Sequence, residues 1–110
     1  MNRLLVKEPR PTAVLTSNDM TAIGAIGALA EHGIKVPRDI SVIGFDDIEL
    51  SAFTQPALTT VRLSRQEIAK VAFRALYNAK DDLSPNGAEY TILPTLIERR
   101  STGPVHKHRS

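Results

Sequence analysis

The stretch Ser41-Val42-Ile43-Gly44-Phe45-Asp46-Asp47 decides how this chain folds. A short apolar run ends there in a glycine, an aromatic ring and two carboxylates. Val42 and Ile43 are β-branched, Pro37 precedes them and charge follows, so the run predicts a buried strand. A strand buried on both faces belongs to a parallel sheet with helices on each side. In such sheets ligands bind beyond the carboxyl ends of the strands, where Asp46 and Asp47 fall. Ionised carboxylates only accept hydrogen bonds, so the pair suits a ligand rich in hydroxyl or amino donors.

The flanking segments complete the unit. Upstream, Ala13-Val14-Leu15-Thr16-Ser17 reads as a strand, and Asn18 or Asp19 can cap the helix after it. Ile23, Ile26, Leu29 and Ala30 recur at helical spacing, and Gly33 is a natural stop. Val36 to Asp39 is the turn into the Ser41 strand. The result is a strand–helix–strand unit with parallel strands. Downstream, residues 48–53 allow one or two helical turns before Pro56. Leu58 to Arg62 reads as a third strand. Ser64-Arg65-Gln66-Glu67 is a capping box. The helix behind it carries an apolar stripe of Ile68, Val71, Ala72, Ala75 and Leu76, with Lys70 and Arg74 opposite. Asp81 to Gly87 reads as an exposed loop. Tyr90 to Leu93 and Leu96 to Glu98 read as strands interrupted at Pro94. Residues 1–10 are expected to be a loose lead-in, 11–103 the folded domain and 104–110 a frayed tail.

Composition bounds the class. The chain has 110 residues, enough for one small domain and one core. A hydrophobic content of 42% with 24% charged residues is that of a soluble globular protein. With no cysteine, disulfides and thiolate metal sites are excluded. A net charge of +2 does not mark a nucleic-acid binder. Arg99, Arg100, Lys107 and Arg109 bunch near the end and read as a solvated tail. No apolar run approaches the ~20 residues of a membrane span, and the first residues lack the features of a signal peptide. A cytoplasmic protein is expected.

The candidate chemistry is binding. Asn18 follows a strand at a helix N-terminus and can serve as a cap, a ligand contact or both. Asp47 is the expected cap of the short helix after it, leaving Asp46 as the ligand contact. A charge-assisted hydrogen bond contributes ~1.5–3 kcal/mol, enough for Asp46 to dominate specificity. Phe45 can stack on an apolar sugar face or belong to the core. Catalysis finds little support: no Ser–His–Asp or Cys–His arrangement is visible. Adjacent carboxylates on a strand point to opposite faces, a poor acid–base pair. There is no dinucleotide or phosphate loop. His32, His106 and His108 form no metal site beyond an adventitious pair in the tail. No cofactor is expected.

Four segments then occur in a familiar order: Ser17-Asn18-Asp19-Met20-Thr21-Ala22-Ile23-Gly24, Gly33 through Asp47, Pro56-Ala57-Leu58-Thr59-Thr60-Val61, and Leu96-Ile97-Glu98-Arg99-Arg100-Ser101-Thr102. Together they resemble the C-terminal part of a LacI/GalR-type bacterial transcriptional regulator over residues 11 to about 103. The resemblance implies a partial periplasmic-binding-protein-like type I fold, the C-terminal lobe plus a crossover helix. It implies a protein in which a small effector, a sugar or derivative, binds between two lobes and changes operator affinity. Operator DNA would be met only through a headpiece outside these residues. By the same resemblance Asn18 and Asp46 contact the effector, and Leu63 and Arg65 approach it. Relatives often carry glutamine or an aromatic at these last two positions, so Arg65 hints at an anionic ligand. Ile23 and Ala52-Phe53-Thr54 resemble the family's dimer interface. The helix over 64–79 would pack on the other lobe. Its stripe would therefore expose a few hundred Å² of apolar surface here, which predicts self-association or a longer parent protein.

Two alternatives remain. A solute-binding protein of a sugar transporter shares the fold. It usually has Gly-Phe-Asp-Gly at this strand, lacks the Leu-Thr-Thr-Val and Glu-Arg-Arg-Ser segments, and needs a signal peptide. A small flavodoxin-like enzyme would need a cofactor loop or a nucleophile, and neither is present.

Overall fold

A computed structural model describes residues 1–80 and 87–106. The element order is α1 (Asn2–Leu5), β1 (Ala13–Leu15), α2 (Asp19–Glu31), β2 (Ser41–Ile43), a 3-10 turn (Glu49–Ala52), β3 (Thr60–Arg62), α3 (Arg65–Ala79) and β4 (Thr95–Ile97). The chain divides into two units, Met1–Arg62 with Leu96–Ser110, and Leu63–Thr95.

In the first unit β1 and β2 are parallel, with Val14 opposite Val42. A parallel bridge between Ile43 and Thr59 carries the pairing towards β3, which is hydrogen-bonded to β4. The strand–helix–strand reading is therefore correct, and β2 is buried as expected, with Val42 fully enclosed. The core gathers Leu5, Val14, Ala22, Leu29, Ile34, Ile40, Val42 and Leu58. Gly33 ends α2 at φ +69°, where a side chain would be strained.

Several local expectations need correction. The lead-in holds a helical turn, α1, whose Leu5 enters the core with Met1 and Leu4 packed against it. The inward face of α2 is Ala22, Ala25 and Leu29; Ile23 is half-buried and Ala30 exposed. Small alanines let the helix sit close to the sheet, which size-blind periodicity does not register. Tyr90 to Leu93 is not a strand, and β4 starts at Thr95. The loop expected over 81–87 lies mostly outside the described residues.

The C-terminal segment is not a solvated tail up to Gly103. Val42 N–H donates to Ser101 O, and Ser101 Oγ donates to Val42 O at 2.6 Å while accepting from Thr59 N–H at 2.8 Å. Gly103 N–H donates to Ser41 Oγ, and Arg100 N–H to Ala57 O. Ser101 thus stitches β2 to the segment entering β3, which accounts for its complete burial.

In the second unit Ser64 caps α3 by accepting from Glu67 N–H at 3.2 Å. No residue of α3 is buried. Of the expected stripe, Ile68, Ala72 and Leu76 are exposed and Val71 and Ala75 half-buried. Phe73 and Tyr77, also exposed, stack with ring centroids 6.3 Å apart, and Lys80 lies over the Tyr77 ring at 4.1 Å. The helix spacing i, i+4 could have revealed that pair.

Candidate functional site

The carboxyl ends of β1 and β2 lie side by side. Thr16 N–H donates to Ile43 O, and Asp19 N–H to Phe45 O at 2.9 Å. These bonds bring Asn18 and Phe45 together. Beyond β2 the backbone runs on beside β3: Gly44 N–H donates to Thr59 O and Asp46 N–H to Val61 O.

Asn18 is the cap of α2. Its Oδ1 accepts from Thr21 N–H at 2.8 Å. The cap occupies the carboxamide oxygen and leaves the nitrogen's donors as the group facing outwards from this bond.

Asp46 and Asp47 are not on an extended strand. Their φ angles are 120° and 54°, both on the side that favours glycine. The two carboxylates therefore part by a turn rather than by strand alternation. Asp46 is exposed and Phe45 half-buried.

Asp47 does not cap the 3-10 turn. That turn begins after Ile48, with no side-chain cap. Instead Asp47 Oδ1 pairs with Arg99 Nη2 and Oδ2 with Arg62 Nε, each at 2.7 Å. Its N–H reaches Thr60 Oγ1 at 3.3 Å. Burial acts to raise the Asp47 pKa, but the hydrogen bonds and charges of Arg99 and Arg62 outweigh it and hold the carboxyl below its usual value. Arg99 is an anchor that the reading of the basic residues missed.

Asp19 is a fully buried carboxylate whose role exceeds the cap that the sequence suggests. It accepts from Ile48 N–H at 2.8 Å, from Ser51 Oγ at 2.5 Å and from Thr60 Oγ1 at 2.5 Å. Gly44 lies against it: a Cβ there would meet Asp19 Oδ1, and Asp19 Cα at 3.2 Å. Only the pairing of a strand-end glycine with an aspartate far upstream signals this knot in the sequence.

Leu63 is half-buried and Arg65 exposed at the start of α3, both in the second unit. Ile23 is half-buried on α2. Ala52 and Phe53 are exposed, Phe53 at 74%, and Thr54 Oγ1 donates to Pro56 O at 2.9 Å.

The periplasmic binding protein-like domain family matches residues 1–102. The chain belongs to that family. Within it, the resemblance is to the effector-binding domain of LacI/GalR-type regulators. The HTH-type transcriptional repressor PurR of Erwinia tasmaniensis is 40% identical over 111 residues, covering 99% of this chain and 33% of the repressor. The chain thus spans about a third of the length of such curated relatives. A LacI family transcriptional regulator from Lactobacillus casei, solved with bound sucrose, is 32% identical with a TM-score of 0.72, covering 91% of this chain and 37% of that one. A LacI family regulator from Bifidobacterium animalis subsp. lactis is 30% identical with a TM-score of 0.84, covering 96% and 38%. The partial fold read from the sequence is the fold these family members share. No helix among the described residues is long and apolar enough to cross a membrane.

Proposed function

We propose that this chain is the effector-sensing part of a cytoplasmic, LacI-type transcriptional repressor, and that it forms one wall of a site for a small sugar-like ligand. The observation that carries the reading is the turn at Asp46–Asp47. Two consecutive non-glycine residues hold positive φ at the carboxyl end of a buried parallel strand. Such conformations persist where the surroundings over-determine them, and they gather at ligand clamps. Asp47 supplies the surroundings through Arg62 and Arg99; Asp46 is the exposed product.

The division of labour follows from the chemistry. Asp46 accepts hydrogen bonds from ligand hydroxyls, Asn18 donates from its carboxamide nitrogen, and Phe45 offers a ring face. Leu63 and Arg65 are the further candidate contacts. All of these bind without bond making, and the relatives are named as regulators rather than enzymes. Ile23 and the segment Ala52-Phe53-Thr54 are the candidate dimer contacts. Operator binding belongs to a headpiece outside these residues.

Titration of the labelled chain with sucrose and with glucose, followed by amide NMR, tests the reading. Shifts clustered at Asn18, Phe45 and Asp46 are expected, and Asp46→Asn should abolish them. Shifts clustered elsewhere would count against a ligand wall here.

A further inference from the structure

Asp19 is fully buried, yet neither oxygen is idle. Its Oδ2 holds the 3-10 turn through Ile48 N–H and Ser51 Oγ. Its Oδ1 holds β3 through Thr60 Oγ1, and the same Thr60 oxygen accepts from Asp47 N–H. Its own N–H holds Phe45 O. Asp19 therefore reaches the backbone before Asp46 through its own N–H on Phe45 O and the backbone after it through Thr60 Oγ1 on Asp47 N–H, while its carboxylate holds the turn that ends in exposed Ala52 and Phe53. Gly44 shows how closely this is built, because no side chain fits between that backbone and Asp19.

We infer that Asp19 is a positioning residue that ties the Asp46–Asp47 turn to the segment Glu49–Thr54, so that the arrangement of one sets the arrangement of the other. The mechanical part stands on the hydrogen bonds alone. That a ligand at Asp46 is thereby felt at Phe53 rests on the effector reading above. A buried carboxyl group with three donors has one low-energy position, since a lost partner leaves a desolvated atom. Moving the 3-10 turn drags both oxygens together, because they belong to one rigid planar group.

The test is amide hydrogen exchange on the whole chain, with each arm cut separately. Ser51→Ala removes one of the two bonds in the arm to the 3-10 turn, leaving Ile48 N–H on Oδ2, and Thr60→Val removes the arm to β3. If Asp19 ties the two, Ser51→Ala speeds exchange at Asp46 and Asp47 N–H, and Thr60→Val speeds it at Ile48 and Ser51 N–H. The increase expected across the knot is on the order of tenfold, the effect of one hydrogen bond lost from a buried pair. Thr16 and Val42 N–H, bound to Ile43 and Ser101, should keep their wild-type rates. The double variant should fall short of the product of the two single effects. Arm variants that each loosen only their own side would overturn the inference, as would uniform loosening that includes Thr16 and Val42. Sugar does not enter this readout, so sugar shifts clustered away from Asp46 would count against the effector reading and leave this one standing.

Discussion

Arg99 places its Nη2 2.7 Å from Oδ1 of Asp47 and its Nη1 2.9 Å from Leu58 O, joining residues far apart in the chain. Its side chain is 18% exposed, against 53% for Arg62, the second partner of Asp47. The two arginines should therefore differ in worth. Arg99→Ala should cost about 1.5–3 kcal/mol, as loss of charge-assisted bonds from a mostly buried carboxylate. Arg62→Ala should cost less than ~1 kcal/mol, as an exposed ion pair does. Urea unfolding of both variants checks the order.

Acid should unfold the protein in part through Asp47. Its folded pKa lies below the ordinary 3.8, because the two arginines outweigh burial. The stabilisation it gives is complete above that ordinary value and is lost as pH falls through the folded one. Asp47→Asn removes this component and should flatten the acid limb of a stability-against-pH curve. An unchanged slope below the ordinary carboxyl value of 3.8, measured by circular dichroism in urea, would show that the pairs contribute nothing.

Gly44→Ala should be destabilising although φ there is unexceptional. The added Cβ meets Asp19 Cα at 3.2 Å and Leu58 Cδ2 at 3.0 Å, with Asp19 Oδ1 nearer still. Overpacking of this kind costs ~1–3 kcal/mol, which lowers Tm by several degrees in a domain this small. Thermal melting of the variant measures it directly.

The apolar face of α3 should bring copies of the isolated chain together. Leu76 is 74% exposed, and exposed Phe73 and Tyr77 border the same surface. Sedimentation should show association that weakens in Leu76→Lys. A compact monomer that binds no apolar dye would contradict this.

The sequence made the strand–helix–strand unit legible because Val42, Ile43 and the Gly33 stop act locally. Asn18 was legible as a cap for the same reason. The knots were not. Asp19 looks like one more residue of a helix start until Ser51 and Thr60 close around it from 32 and 41 positions away. Arg99 looks like part of a basic tail until Asp47 turns inward. Positive φ at Asp46 and Asp47 marks the turn between these two knots, and no apolar pattern encodes it. The alternation rule failed there because it presumes an extended backbone. Phe73 and Tyr77 lie off the Ile68 stripe, towards the Lys70 side of α3, so the periodicity that marks the stripe does not mark them.

The central claim is that Asp46 holds an unfavourable backbone conformation for the sake of a ligand. Asp46→Gly tests it most directly, with melting temperature and sugar titration measured on the same sample. Glycine adopts φ near 120° without strain. The variant should therefore melt at or above the wild-type temperature while losing the shifts that sucrose or glucose produce at Asn18 and Phe45. A variant that melts well below wild type, or that still binds, would contradict the claim.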